Sequence, residues 1–166
     1  MIYTLTLGFL AFISLVLGSI YPRGLLLGGA APDILLLLVV FNGMFRGYLR
    51  GGVTGFLIGL MEDLFMGRFI GMNALSKAIV GATTGYLTKS IFKENLWVPI
   101  LNVGWGTLLE LILFFLIGRL VGNQWPLSLL IWQGTFETIY NICLVPFLYG
   151  PFFNFADKHS HLIKRK

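Results

Sequence analysis

Charged residues are scarce in this 166-residue chain. Only 11% of its residues are Asp, Glu, Lys or Arg, whereas 57% are hydrophobic. Soluble domains usually carry about a quarter charged residues. A water-soluble fold of this length could not bury so much apolar surface. The composition therefore excludes a soluble domain and predicts that the chain folds in a lipid bilayer.

Residues that ligate metals or act as nucleophiles are also few. The single cysteine, Cys143, excludes an internal disulfide, and both histidines, His159 and His161, lie near the C-terminus. No HExxH, paired CxxC, GxSxG, P-loop or GxGxxG motif occurs. The adjacent carboxylates Glu62 and Asp63 point about 100° apart on a helix, so they do not converge on one substrate. The sequence thus predicts no metal, no cofactor and no enzymatic activity.

Six long apolar segments make up almost the whole chain. Each approaches the roughly 20 residues that a helix needs to cross the hydrocarbon, and turn formers or charges separate them. The predicted helices span 2–21, 24–45, 48–66, 71–89, 96–118 and 127–149, followed by a short basic tail, 150–166. The predicted fold class is an all-α integral membrane protein with six transmembrane helices in a single domain.

The first two segments leave alternatives. The first has no basic residue before its apolar run, so we interpret it as a retained helix rather than a signal peptide. The second contains Pro32. It either kinks there or enters the membrane as a non-helical stretch through residues 28–31, which is tolerated only where protein covers it.

Lysine and arginine are distributed unequally between the two sides of the predicted bundle. The side with both termini holds eight: Arg46, Arg50, Lys89, Lys93, Lys158, Lys164, Arg165 and Lys166. The other side holds three: Arg23, Arg68 and Arg119. The positive-inside rule therefore predicts cytoplasmic termini. Topology and attraction to anionic lipid account for the net charge of +5 without nucleic acid. Docking of a cytoplasmic partner on the basic tail is the alternative.

Ionisable residues also occur inside the predicted helices, where a centred charge costs at least about 2.5–3.5 kcal/mol. They are Asp33, Glu62, Asp63, Lys77, Glu110 and Glu137. Such groups are expected to face the bundle interior. There they form either a polar clamp between helices or a path for protons, ions or a substrate.

Lys77 lies close in depth to the carboxylates that end the third helix. Across the tight turn, the depths of Asp63 and Lys77 differ by only about 5 Å. We therefore predict an Asp63–Lys77 or Glu62–Lys77 ion pair that fixes this hairpin. Asn73 shares the face of Lys77, four residues away.

Glu110 and Glu137 have no lysine or arginine at their predicted depth. We therefore expect both to be protonated. They form either a proton relay or neutral hydrogen bonds between helices.

Glycines recur at intervals of four along the third helix and lie on one of its faces. They are Gly47, Gly51, Gly55 and Gly59. A glycine groove lets another helix approach closely. The groove serves either packing within the chain or docking of a foreign helix.

A series of motifs between residues 32 and 85 has a distinctive order and spacing. The motifs are Pro32-Asp33, the apolar run 34–40, Arg46 before the glycine-rich helix, Gly59-x-x-x-Asp63-Leu64, and Met72-Asn73-Ala74-Leu75. Together they resemble the MreD family of bacterial rod shape-determining membrane proteins. The last two helices are similar to that family in hydropathy alone.

The resemblance implies a non-enzymatic scaffold of the cell-elongation machinery in the bacterial cytoplasmic membrane. The implied partners are an MreC-like single-crossing protein, MreB and the RodA–penicillin-binding-protein synthase. The implied fold looks like the substrate-binding component of energy-coupling-factor vitamin transporters. A vitamin or cofactor uptake subunit is therefore the alternative function. The first helix carries Gly8 and Ala11 but lacks the Ala-x-x-x-Ala spacing with which such subunits dock their transporter core.

Overall fold

A computed structural model describes residues 2–20, 27–67, 69–88, 95–122 and 126–161. Within these residues every regular element is helical, which confirms the predicted all-α class. The helices are α1 (Ile2–Ile20), α2 (Ile34–Arg46), α3 (Tyr48–Met66), α4 (Met72–Leu87), α5 (Trp97–Leu120) and α6 (Leu127–His161), and a single 3-10 turn (Leu27–Gly29) precedes α2.

Within the described part of the chain, two helical segments are long and apolar enough to cross a membrane. They are α5, Trp97–Leu120, and the Leu127–Ala156 portion of α6. Less than a third of the apolar window of each segment is buried, as expected of a helix that faces lipid rather than a soluble core. Both segments are consistent with a membrane location. Six crossings and a single membrane domain stay predictions.

α2 begins later than its hydropathy predicts. The chain from Leu27 to Asp33 contains only a 3-10 turn, so the non-helical alternative is correct for this stretch. Pro32 disfavours helical backbone in the residue before it. Asp33 then caps the helix, since its Oδ1 accepts a hydrogen bond from Leu36 N at 2.8 Å. The remaining 13 residues form a helix about 20 Å long, shorter than the hydrocarbon is thick.

α6 extends beyond its predicted end at residue 149. It continues as helix to His161 through Pro146 and Pro151. Burial accounts for the extension, because Phe152 packs against Phe41 of α2 with ring centroids 5.5 Å apart. The stretch 150–161, predicted as part of a basic tail, is therefore helical, and residues 162–166 lie outside the described residues.

α2 lies at the centre of the bundle and contacts α1, α3, α4, α5 and α6. Its side chains are buried on every face; Leu36, Val39 and Val40, for example, are completely inaccessible to solvent. A helix that is apolar all round requires such an environment. The short helix is thus a buried core element, and its N-terminal cap brings Asp33 into the protein interior.

α3 and α4 form an antiparallel hairpin with their backbones in direct contact. A Cβ atom added at any of three α3 glycines would overlap the α4 backbone. The overlapping pairs are Gly51 with Gly81, Gly55 with Lys77, and Gly59 with Asn73. Each step of four residues along α3 corresponds to four residues back along α4. Because these glycines leave one face of α3 without side chains, the two helices can approach this closely.

The predicted glycine groove is thus filled by α4 of the same chain, and docking of a foreign helix in it is excluded. Gly47 differs from the other three glycines. It lies between α2 and α3 with φ 83°, a left-handed conformation that strongly favours glycine. Gly47 makes the turn that starts the hairpin, while Gly51, Gly55 and Gly59 form its packing surface.

Replacing Gly55 by alanine should destabilise the protein, because the new Cβ would collide with the Lys77 carbonyl. Overpacking of this kind typically costs about 1–3 kcal/mol. Gly8→Ala is the matched control, since nothing lies within 4 Å of a Cβ at Gly8. We expect a lower thermal midpoint for Gly55→Ala alone, measured on purified protein by fluorescence-detected size exclusion. Equal midpoints for the two variants would contradict the close contact.

Candidate functional site

Lys77 lies in the middle of α4 and is only 1% exposed. Its ammonium nitrogen, Nζ, lies 2.8 Å from Asp33 Oδ2, 2.9 Å from Glu62 Oε2 and 2.7 Å from Glu110 Oε1. The contacts with Asp33 and Glu110 are hydrogen bonds. The contact with Glu62 is an ion pair without hydrogen-bond geometry. One buried cation therefore joins α4 to the cap of α2, to α3 and to α5.

Asp33 connects this cluster to the last helix. Its backbone N donates a hydrogen bond to Asn141 Oδ1 at 2.9 Å. The Asn141 amide in turn donates to Thr107 Oγ1 of α5 at 3.2 Å. Asn141 has no exposed surface. The network thus links α2, α5 and α6 through hydrogen bonds in addition to the ion pairs around Lys77.

The predicted Asp63–Lys77 ion pair is wrong, whereas the alternative Glu62–Lys77 pair is present. Asp63 instead accepts hydrogen bonds at the start of α4, from Gly71 N at 2.8 Å, from Ala74 N at 3.0 Å, and from the backbone and side-chain nitrogens of Asn73 at 3.1 and 2.9 Å. The first N–H groups of a helix have no partner within it. Asp63 satisfies them from the end of α3, and its negative charge suits the positive end of the helix dipole.

The expectation that Glu110 has no base at its depth is also wrong, because Lys77 contacts it directly. α4 packs against both α3 and α5, so the long lysine side chain reaches carboxylates on either side. Glu137 of α6 belongs to the same cluster. Carboxylate oxygens of Asp33, Glu110 and Glu137 all lie within 4.8 Å of one another. No ion pair among the described residues includes Glu137.

The cluster contains more acidic groups than basic ones. Three carboxylates contact one ammonium and Glu137 lies beside two of them, so full ionisation of all four would leave a net charge of −3. At an effective dielectric constant near 20, two carboxylates 4.8 Å apart repel each other by about 3.5 kcal/mol. The arrangement is therefore suited to holding a further positive charge or protons.

Sequence reasoning identified every charged member of this cluster but not the way they assemble. It placed Lys77 with its neighbours in the hairpin, whereas Asp33 and Glu110 are 44 and 33 residues away along the chain. Asn141 was not predicted as a site residue. Asn141 could have been found from the sequence because it follows Glu137 by four residues and so lies on the same face of α6.

A comparison with protein families gives a match over nearly the whole chain. The family model described as rod shape-determining protein MreD matches residues 1–158. The chain belongs to the MreD family. Membership makes it a membrane protein with a role in determining rod shape, in a family of shape-determining proteins rather than known enzymes. No curated protein and no solved structure matches the chain.

Removing the ammonium from this MreD-family chain should be strongly destabilising. Lys77→Met would leave a group of buried carboxylates without their cation, and breaking such a pair typically costs about 3–5 kcal/mol. Adding Glu110→Gln should recover part of the loss, because one excess carboxylate is neutralised. Thermal midpoints of the two single variants and the double variant measure this coupling.

Asp63→Asn provides the comparison for that experiment. Asp63 makes its hydrogen bonds with the start of α4 rather than with the Lys77 ammonium. We expect the Lys77–Glu110 coupling to exceed the Lys77–Asp63 coupling. Strict additivity for Lys77 and Glu110 would contradict the ion pair between them.

Proposed function

We propose that this MreD-family chain is a non-enzymatic membrane scaffold of the bacterial cell-elongation machinery. In this role it binds an MreC-like single-crossing protein and supports peptidoglycan synthesis and rod shape. The observation that supports the proposal most directly is that the interior and the surface of the bundle differ in polarity. Buried charges connect the chain's own helices, whereas the exposed helix faces are apolar.

The apolar faces are the surfaces on which a partner helix would bind. Leu57 of α3, Leu101 of α5 and Ile139 of α6 are 60%, 69% and 50% exposed, respectively. In a bilayer such faces contact either lipid or another helix, and small differences in packing select the partner. Because α4 fills the glycine groove, the MreC-like helix binds to these outer faces in the proposed complex.

The proposed assembly also includes MreB on the cytoplasmic side and the RodA–penicillin-binding-protein synthase in the membrane. The family match over residues 1–158 supports a place in this machinery. The bilayer itself is the remaining partner, and nucleic acid has no part in the proposal. The chain acts here by holding other proteins in position rather than by chemistry.

The alternative is a substrate-binding subunit of a vitamin or cofactor transporter. Partial exposure of Asp33 and Glu137 favours it, because polar groups within a membrane bundle commonly mark substrate sites. Native mass spectrometry of the purified protein distinguishes the two functions. A tightly bound vitamin-sized molecule would favour the transporter, and its absence together with a retained protein partner would favour the scaffold.

Six crossings with both termini in the cytoplasm form part of the proposal. Reporter fusions at residues 1 and 166 should both be active in the cytoplasm, because the lysines and arginines favour that side eight to three. A fusion in the predicted outer loop near Arg119 is the control and should report the opposite side. Activity of the C-terminal fusion outside the cytoplasm would refute the orientation.

Site-specific photocrosslinking tests the partner and locates its surface. A photoreactive residue at Leu57, Leu101 or Ile139 should, in at least one case, form an adduct with an MreC-like protein in native membranes. Val80, which has no exposed surface, is the buried control and should form none. If all three exposed positions lack this adduct and the MreC-like protein does not co-purify, the scaffold proposal fails.

A further inference from the structure

Asp33 has a hydrogen-bond donor at each of its side-chain oxygens. Its Oδ1 accepts from Leu36 N and its Oδ2 accepts from the Lys77 ammonium, both at 2.8 Å. Both oxygens are acceptors, which is the pattern of an ionised carboxylate. Asp33 and Glu110 both accept a hydrogen bond from the Lys77 ammonium, and the carboxyl groups of the cluster together exceed the available positive charge.

Glu110 differs from Asp33 because one of its oxygens has no partner. Its Oε1 accepts from Lys77 at 2.7 Å, whereas its fully buried Oε2 makes no hydrogen bond. Glu110 is only 7% exposed. A buried acceptor without a donor loses the hydrogen bonds that it makes with water and is therefore unfavourable. Protonation turns one oxygen of the carboxyl group into a donor and removes the need for a second cation.

Glu137 is the neighbour that would share this proton. One of its oxygens lies within 4.8 Å of oxygens of both Glu110 and Asp33. Two carboxyl groups at close range cannot both be ionised at low cost, so one keeps a proton.

Charged side chains next to this pair come from three other parts of the bundle. α4 contributes Lys77, α3 contributes Glu62 and the cap of α2 contributes Asp33. The side chains of Asn141 of α6 and Thr107 of α5 are hydrogen-bonded to each other and carry no charge. Lys77 is thus the cation of the cluster, opposed by four carboxyl groups.

A metal ion fits the cluster less well than a proton. Calcium requires carboxylate oxygens at about 2.3–2.6 Å. Two of the three carboxylates already contact the Lys77 ammonium, at 2.8 and 2.7 Å, so a metal bound to them would lie close to another positive charge. A proton needs no coordination shell. Asp33 and Glu137 are partly exposed, whereas Glu110 is buried.

We propose that Glu110 and Glu137 form a proton-binding pair inside the bundle, next to the Lys77–Asp33 ion pair. The pair binds one exchangeable proton that either carboxylate can accept, and releasing that proton leaves both glutamates ionised. The proposal does not depend on which protein the chain binds.

Infrared spectroscopy of the purified full-length chain near neutral pH tests the proposal. The carbonyl stretch of a protonated carboxyl group lies above the amide I band and moves to lower frequency in D2O. We expect this band in the unaltered protein and its loss or reduction in Glu137→Gln and in Glu110→Gln. Asp157→Asn is the control and should retain the band, since it lies 20 residues from Glu137, about 30 Å along α6.

Absence of the band from the unaltered protein would overturn the proposal without requiring any variant. A band that persists at full strength in both glutamine variants would also overturn it, since the proton would then belong to another carboxyl group. Glu137→Gln is the safer variant for folding, because Glu137 makes no ion pair among the described residues. Size exclusion checks that each variant is folded.

Titration with calcium chloride and magnesium chloride distinguishes a metal site. The thermal midpoint of the unaltered chain should not respond to either salt beyond the response of Glu137→Gln. A stabilisation by one cation that Glu137→Gln abolishes would show that the cluster binds a metal, and it would overturn the proton assignment.

Discussion

A charge buried in a membrane bundle must be compensated where it lies, and Lys77 is the residue at which this constraint acts most strongly. Its ammonium is only 1% exposed and lies within 2.9 Å of carboxylates from three other parts of the chain. A shift of the α2 cap, of α3 or of α5 away from α4 would leave a charge without its partner. The relative positions of four helices therefore depend on this one group.

The close contact between the glycines of α3 and the α4 backbone brings Lys77 within reach of Glu62. The Lys77 backbone packs directly against Gly55, so α3 approaches α4 closely at the level where the ammonium meets Glu62. Asp63 then caps the start of α4 from the end of α3. Backbone contact, capping and ion pairing all fix the same hairpin, and they leave no room for another helix along the glycine face.

The division between buried polar groups and an apolar surface bears on function in the MreD family. Polar groups inside the bundle are largely used to join its own helices, whereas large apolar side chains such as Leu57 and Leu101 remain on the outside. This division supports the proposed scaffold role. The Glu110–Glu137 pair is the exception, because its carboxyl groups exceed what Lys77 can neutralise.

The sequence by itself determined the membrane class, the helical nature of the segments and the bounds of α3, α4 and α5 to within a few residues. Composition and hydrophobic periodicity report how each segment meets its surroundings. The sequence also identified Lys77 and the buried carboxylates as special, because a charge in an apolar segment is costly wherever it lies. Only the tertiary structure decided that Lys77 meets Asp33 and Glu110, and that Asp63 caps α4 instead. Periodicity indicates which residues share a face of one helix, but packing among all the helices decides which faces meet. The late start of α2 and the extension of α6 depend on tertiary packing as well, since the Asp33 carboxylate and the Phe152 ring find their partners on distant helices.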